Sequence, residues 1–288
     1  MCEQDDFDEF ARRGELTRRQ FGVMALGAGL AAMLPKAAHA TETKGAEVEI
    51  KTPDGVVDAY IVHPLKGRYP AVLIWPDIFG LRPAFRAMAT RLAESGYTVL
   101  VINPFYRIHK APTSPEHADF NDPATRDALM ALAHSLTPAT AATDAKAFVA
   151  YLDSHAAVDV RRKIGTTGYC MGGPLVLRTA AARADRIGAA ATFHGGGLVT
   201  KEPDSPHLLI PQTRAHYLIA IAANDDERDP TAKTVLRETF DRAQLPAEVE
   251  VYVGTQHGWC PPDSAVYNHE QAEKAWARLL VLLNGALA

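Results

Sequence analysis

Two kinds of apolar pattern alternate along this chain. One is a short run with little polar interruption, as in Tyr69–Trp75 and Tyr97–Ile102, which is what a strand buried on both faces requires. The other spaces its apolar residues three and four apart, as Phe85, Met88, Ala89 and Leu92 do within Arg82–Ser95, a helix that Gly96 stops. Strand, helix, strand over residues 69–102 is a βαβ unit, for which parallel pairing and a right-handed crossover are expected. Upstream, the β-rich runs Glu47–Lys51 and Val56–His63 flank Pro53-Asp54-Gly55 and predict an antiparallel pair at the sheet edge. Downstream, helices are predicted over Ala124–Ser135, Ala141–His155, Leu175–Ala184, Thr231–Ala243 and Glu270–Leu283. Strands are predicted over Val158–Thr167, Ala189–Phe193, Tyr217–Ala222 and Val249–Tyr252. Residues 103–123, rich in Pro, His and Asp, read as a surface excursion over one end of the sheet. The order predicts an α/β fold: a doubly wound, mostly parallel sheet of about eight strands flanked by helices.

The first forty residues break this pattern. Thr17-Arg18-Arg19-Gln20-Phe21 leads into an apolar Ala/Gly-rich run that ends at Leu34, and Ala38-His39-Ala40 follows as a small-x-small cleavage site. This is the layout of a twin-arginine export signal, so residues 1–40 are expected to be a signal peptide handled by the twin-arginine machinery. The apolar run is shorter than the roughly 20 residues a membrane span needs, so no stable anchor is expected. The remainder, residues 41–288, reads as one domain working in the periplasm or outside the cell. The formal charge is -4 on 288 residues, which makes no electrostatic case for nucleic acid. A monomer is expected. Of three cysteines, Cys2 leaves with the leader, and Cys170 and Cys260 do not make a disulfide scaffold.

Chemistry enters at Gly168-Tyr169-Cys170-Met171-Gly172-Gly173, which has the G-x-S-x-G spacing of a strand-to-helix nucleophile elbow with cysteine in the serine position. Glycine is needed on either side because strand and helix backbones nearly touch at so sharp a turn. A buried cysteine in a glycine-rich βα turn is the competing reading. A thiol nucleophile needs a base, and the base an orienting group. Asp225, just past the Tyr217–Ala222 strand, and His257, just past the Val249–Tyr252 strand, follow in the chain order expected of this fold. Asp226 is the rival for the acid, and either aspartate could instead cap the next helix. Cys260, three residues past His257, is expected to border the cleft, where it either forms a disulfide with Cys170 or stands as a passive side chain.

With Pro76-Asp77-Ile78-Phe79-Gly80, the cysteine elbow, the aspartate loop and Gln256-His257-Gly258, the chain from about Pro70 onward resembles the dienelactone hydrolase family of α/β-hydrolases. The resemblance implies an α/β-hydrolase fold, a Cys170–Asp225–His257 triad, and hydrolysis of a lactone or carboxylic ester of the carboxymethylenebutenolidase type. Two departures stand out. Asp77 occupies a position where the family often has glutamate, an acid near the resting thiol; and Gly258-Trp259-Cys260-Pro261 replaces a stretch in which the family carries a substrate-binding arginine. Arg126 is the plausible match for the family's other substrate arginine. Asp77, Arg126, Tyr169 and Trp259 are therefore expected to touch substrate or to support the groups that do.

The expected reaction is attack by the Cys170 thiolate on the carbonyl, with the oxyanion held by the backbone N–H groups of Met171 and Ile78, followed by hydrolysis of the thioester. No metal or organic cofactor is expected: metal-protease, phosphate-loop and dinucleotide motifs are absent from the sequence, and its 11 histidines show no ligand spacing. The alternatives are a thiol-dependent esterase or thioesterase acting on another substrate, and an exported binding protein that keeps the scaffold without turnover.

Overall fold

The computed structural model describes residues 41–287; the proposed signal peptide lies outside them. A single eight-stranded sheet runs through the molecule in the order β1-β2-β4-β3-β5-β6-β7-β8. β1 (Thr43–Thr52) and β2 (Gly55–Pro64) form the expected hairpin, turning at Gly55, whose φ of 143 suits glycine. β2 also pairs antiparallel with β4 (Thr98–Ile102). From there the sheet is parallel through β3 (Ala71–Trp75), β5 (Ile164–Tyr169), β6 (Ile187–Phe193), β7 (His216–Ala222) and β8 (Ala247–Tyr252).

Every residue of β3, β4, β5 and β6 is buried, which is why these segments read as unbroken rather than alternating runs. One face is covered by α1 (Pro83–Glu94) and α7 (His269–Ala286), with Phe85, Met88, Leu92, Leu279 and Leu283 in the core. The other is covered by α3 (Pro138–Ser154), α4 (Gly172–Ala182) and α6 (Ala232–Ala243), through Phe148, Leu152, Val176, Leu236 and Phe240. Among the described residues no helix is long and apolar enough to cross a membrane.

Element boundaries shift where polar chemistry outweighs periodicity. α3 begins at Pro138 rather than Ala141, because Thr137 and Thr140 close a reciprocal capping box. The predicted strand Val158–Thr167 is regular only from Ile164; Arg161, Arg162 and Lys163 cannot enter a sheet buried on both faces, and Val158 makes a lone bridge to Tyr69. Residues 103–122 form the expected excursion, followed by α2 (Pro123–Ala133), which Asp122 caps. It is tied down by polar groups: Asn103 donates to Asp58 and to the His109 carbonyl, and Arg107 bridges Asp54 and the buried Asp144.

β3 is followed in the chain by β4 on one side, while β5 lies on its other side, so the connection reverses between β3 and β5. Loops leaving the carboxyl ends of these two strands splay apart and open a crevice at that switch point.

Candidate active site

β5 ends at Tyr169, and Cys170 occupies the crest of the turn into α4. Its φ is 52, in the left-handed region that non-glycine residues seldom enter. The turn is held at both sides: the Cys170 N–H donates to the Phe193 carbonyl at 3.1 Å, and the Cys170 carbonyl accepts from Gly173 N–H at 3.0 Å. A Cβ on Gly168 would collide with the Gly172 carbonyl, and one on Gly172 with the Trp75 carbonyl. The glycine spacing is thus a steric requirement of strand and helix in contact. Cys170 is partly exposed to the crevice.

His257 arrives on the loop after β8. Its backbone N–H donates to Asn224 Oδ1 at 2.8 Å, and its ring Nδ1 lies 2.7 Å from Asp225 Oδ2. With Nδ1–H donated to the carboxylate, the remaining nitrogen, Nε2, is the one available to the Cys170 thiol, whose nearness raises the proton affinity of the ring. Burial pulls the proton affinity of His257 down, but the Asp225 hydrogen bond and the adjoining Cys170 sulfur outweigh it and lift the ring to about 10. The arrangement favours a proton on the imidazole beside the Cys170 sulfur.

Asp225 and Asp226 lie in the short helix α5 (Ala223–Arg228) rather than in a loop. They face different partners: Asp226 Oδ2 pairs with Lys233 Nζ at 2.6 Å, while Asp225 meets His257 and, more loosely, Arg228 at 3.4 Å.

The loop after β3 brings Ile78 and Phe79 to the elbow, where Ile78, Phe79, Leu129 and Met171 share an apolar cluster with Phe105. Among the described residues, neither the Ile78 N–H nor the Met171 N–H is engaged in a hydrogen bond. Asp77 is engaged by Arg82. Both of its oxygens accept from Arg82, at 2.6 and 2.9 Å, and Oδ1 also accepts from the Phe79 N–H. Arg82 continues to Asp263 on the loop beyond His257, at 2.6 and 3.0 Å, and packs over the Phe79 and Phe85 rings. An arginine therefore does stand at this end of the site, but it comes from the Asp77 loop and is already satisfied by two carboxylates.

The structure places the remaining expected residues and corrects one of them, Cys260. Trp259 and Tyr169 are 0% and 3% exposed and belong to the core behind the crevice, where they back the residues of the site. Cys260 does not border the crevice. It is buried in a small cavity with Tyr169, Phe193 and Tyr267, its thiol pushed well up by burial, and both cysteines are free. Arg126 stands on α2 with its side chain 44% exposed and Asp127, at 3.9 Å, as an ionic neighbour. Among the described residues no group of three or more His, Cys, Asp or Glu side chains is arranged to hold a metal.

Residues 57–287 match the model of the dienelactone hydrolase family. The chain belongs to that family. A protein of Bradyrhizobium sp. named "Probable 2-oxo-3-(5-oxofuran-2-ylidene)propanoate lactonase" is 28% identical over 250 residues, covering 85% of this chain and 96% of that one. A carboxymethylenebutenolidase of Rhodococcus opacus is 28% identical over 194 residues, 67% of this chain and 71% of its own. In architecture, the crystal structure of a "Putative Dienelactone Hydrolase" from Klebsiella pneumoniae subsp. pneumoniae MGH 78578 superposes with a TM-score of 0.73 at 23% identity, covering 85% of this chain and 99% of that one. This dienelactone hydrolase family member is thus a carboxylic ester or lactone hydrolase on an α/β-hydrolase fold.

Proposed function

We propose that this family member cleaves a small ester or lactone through Cys170, His257 and Asp225, by way of a thioester. The observation that carries the reading is the 2.7 Å contact between His257 Nδ1 and Asp225 Oδ2, with Cys170 near enough to raise the proton affinity of the same ring. The Cys170 thiolate adds to the carbonyl carbon, and the carbonyl π electrons move to oxygen. That oxyanion accepts hydrogen bonds from the Met171 and Ile78 N–H groups, each preorganised donor contributing on the order of 3 kcal/mol. Collapse breaks the C–O bond, and the departing alkoxide takes the proton held by His257. Neutral His257 then removes a proton from water as the water oxygen adds to the thioester. Expulsion of the sulfur releases the carboxylic acid and restores the thiolate beside imidazolium.

Two experiments test this. Cys170→Ala should retain the fold and lose hydrolysis of 4-nitrophenyl esters and of lactones, and Cys170→Ser should retain little, because a base matched to a thiol is poorly matched to an alcohol. Wild-type turnover by Cys170→Ala would remove the thiol from the chemistry. A panel of lactones with and without a carboxylate, aryl esters and acyl thioesters then assigns substrate class. Selection of carboxylate-bearing lactones, lost in Arg126→Ala, is the outcome expected if Arg126 binds substrate.

We also infer export. Arg18-Arg19 ahead of the apolar run and Ala38-His39-Ala40 behind it support delivery by the twin-arginine route to the periplasm or beyond. Replacing both arginines by lysine should hold the precursor in the cytoplasm; unchanged release of a protein beginning at Thr41 would mean another route reads the leader.

A further inference from the structure

The loop that leaves β6 carries His194 into the space directly behind His257. The residue is 1% exposed and sits at φ 42, a left-handed conformation. Its backbone is fixed from both sides. The His194 N–H donates to the Ala220 carbonyl of β7 at 2.8 Å, and the preceding residue, Phe193, accepts from Cys170. Gly195, the next residue, lies so close to Gly173 that a Cβ on Gly173 would stand 2.6 Å from the Gly195 Cα. The loop is therefore pinned against the same elbow that presents the thiol.

The His194 ring packs against two residues of the His257 loop. Its centroid is 5.2 Å from the His257 ring and 5.0 Å from the Trp259 ring, edge-to-face in both cases, at 66° and 65°. Tyr169 closes a third side at 6.0 Å. Neither ring nitrogen has a hydrogen-bond partner among the described residues. Burial, and then the charge of His257, hold the proton affinity of His194 well below that of an ordinary histidine. The ring is neutral beside a protonated one.

A buried imidazole without a partner and a left-handed backbone on a non-glycine residue are both unfavourable, and an aliphatic side chain would avoid the first. What the ring supplies is a plane. Asp225 holds His257 at Nδ1 and Asn224 holds its backbone, but a single hydrogen bond at Nδ1 leaves the imidazole free to tilt about that contact. We propose that His194 is a positioning residue for the base: packed against His257 and Trp259, its flat ring fixes the plane of the His257 imidazole and keeps Nε2 on the Cys170 sulfur. The proposal rests on the reading of Cys170 and His257 given above. An edge-to-face neighbour restricts orientation in a way that an aliphatic one does not, and a neutral aromatic ring tolerates the adjacent cation.

His194→Asn and His194→Phe separate this role from simple filling. Asparagine accepts the left-handed backbone and removes the ring; phenylalanine keeps a plane and removes the nitrogens. The full chain is assayed with a 4-nitrophenyl ester, alongside its melting temperature and the pH dependence of Cys170 alkylation by iodoacetamide, followed by mass spectrometry. The titratable and charged groups around His257 are Cys170 from the elbow, His194 from the β6 loop, and Asp225 with Arg228 behind it from α5. Only His194 changes between these proteins. His194→Asn should lower kcat by about 10- to 100-fold, the effect of a small misplacement of a catalytic group, with KM within about twofold. The acid limb of alkylation should move to higher pH, because a tilted imidazolium stabilises the thiolate less. His194→Phe should recover kcat to within about fivefold and return the limb to its wild-type position. Wild-type kcat and limb in folded His194→Asn would make the residue filler, and a folded His194→Phe as slow as His194→Asn would move the role from the plane to a nitrogen; either overturns the proposal. Failure of the underlying reading looks different: Cys170→Ala would then turn over the ester, whatever His194 does.

Discussion

Lys233 Nζ lies 2.6 Å from Asp226 Oδ2, and this contact separates two adjacent aspartates that look equivalent in the sequence. It takes up the Asp226 charge and leaves Asp225 to His257. Asp225→Asn should therefore lower kcat/KM for ester hydrolysis by about 100-fold or more, since the amide can leave the imidazole in the wrong tautomer. Asp226→Asn should stay within about fivefold and register instead as a modest loss of stability. Steady-state kinetics and urea denaturation of the two variants side by side distinguish the assignments; equal losses of activity would mean that α5, rather than one carboxylate, supports the base.

The elevated proton affinity of His257 makes stability depend on pH. Its ordinary value is near 6.5 and its folded value about 10, so folding favours the protonated ring. That contribution is fully present below about 6.5, where unfolded chains are protonated too, and is lost as pH rises through about 10. The melting temperature should fall across that interval. In Asp225→Asn, which removes a hydrogen bond that raises the value, the curve should be flatter; identical curves would uncouple the contact from folding.

Arg82 connects the loop carrying Ile78 to the loop beyond His257 through Asp77 and Asp263. Removing the guanidinium leaves two carboxylates facing each other in a largely buried position. Arg82→Ala should cost about 3 kcal/mol in urea denaturation, the scale of breaking a buried ion pair. Combining it with Asp77→Asn and Asp263→Asn should return part of that loss, because no uncompensated charge then remains. Additive losses across the three changes would argue against a shared network.

Gly172 tests the elbow itself. Its missing Cβ is the space occupied by the Trp75 carbonyl, backbone that cannot rotate aside, so Gly172→Ala should destabilise by about 3 kcal/mol or fail to fold. Gly196→Ala is the matched control, since a Cβ there meets nothing within 4 Å and φ is not left-handed. Equal stability of the two variants would remove the steric reading of the motif.

Much of this was legible in the chain. Buried strands such as Ala71–Trp75 announce themselves as unbroken apolar runs, and the elbow is local, so its glycines and Cys170 stand within five residues. Asp225 and His257 could be placed because each follows a strand. What the pattern does not carry is direction and partnership across long separations. Arg82 reads as the start of a helix, and only the folded chain shows it gripping Asp263, 181 residues away. His194 gave a weak signal, a histidine ahead of three glycines after a buried strand. Tyr169 sits beside Cys170 in sequence but points into the core, because neighbours on a strand face opposite ways, and Trp259 is buried beyond the turn at Gly258, whose φ is 102.

The left-handed backbone at Cys170 has one more consequence. With φ held at 52 by hydrogen bonds on both sides of the residue, the sulfur position is set by a single torsion, χ1, with three staggered wells. Selecting one well from three costs at most about RT ln 3, roughly 0.6 kcal/mol, so little freedom has to be surrendered on the way to attack. A lysine at the same crest would have four torsions to arrest. The short side chain turns the search for the substrate carbonyl into a choice among a few discrete directions, and the strain that makes the crest sharp is carried by main-chain atoms that the reaction never touches.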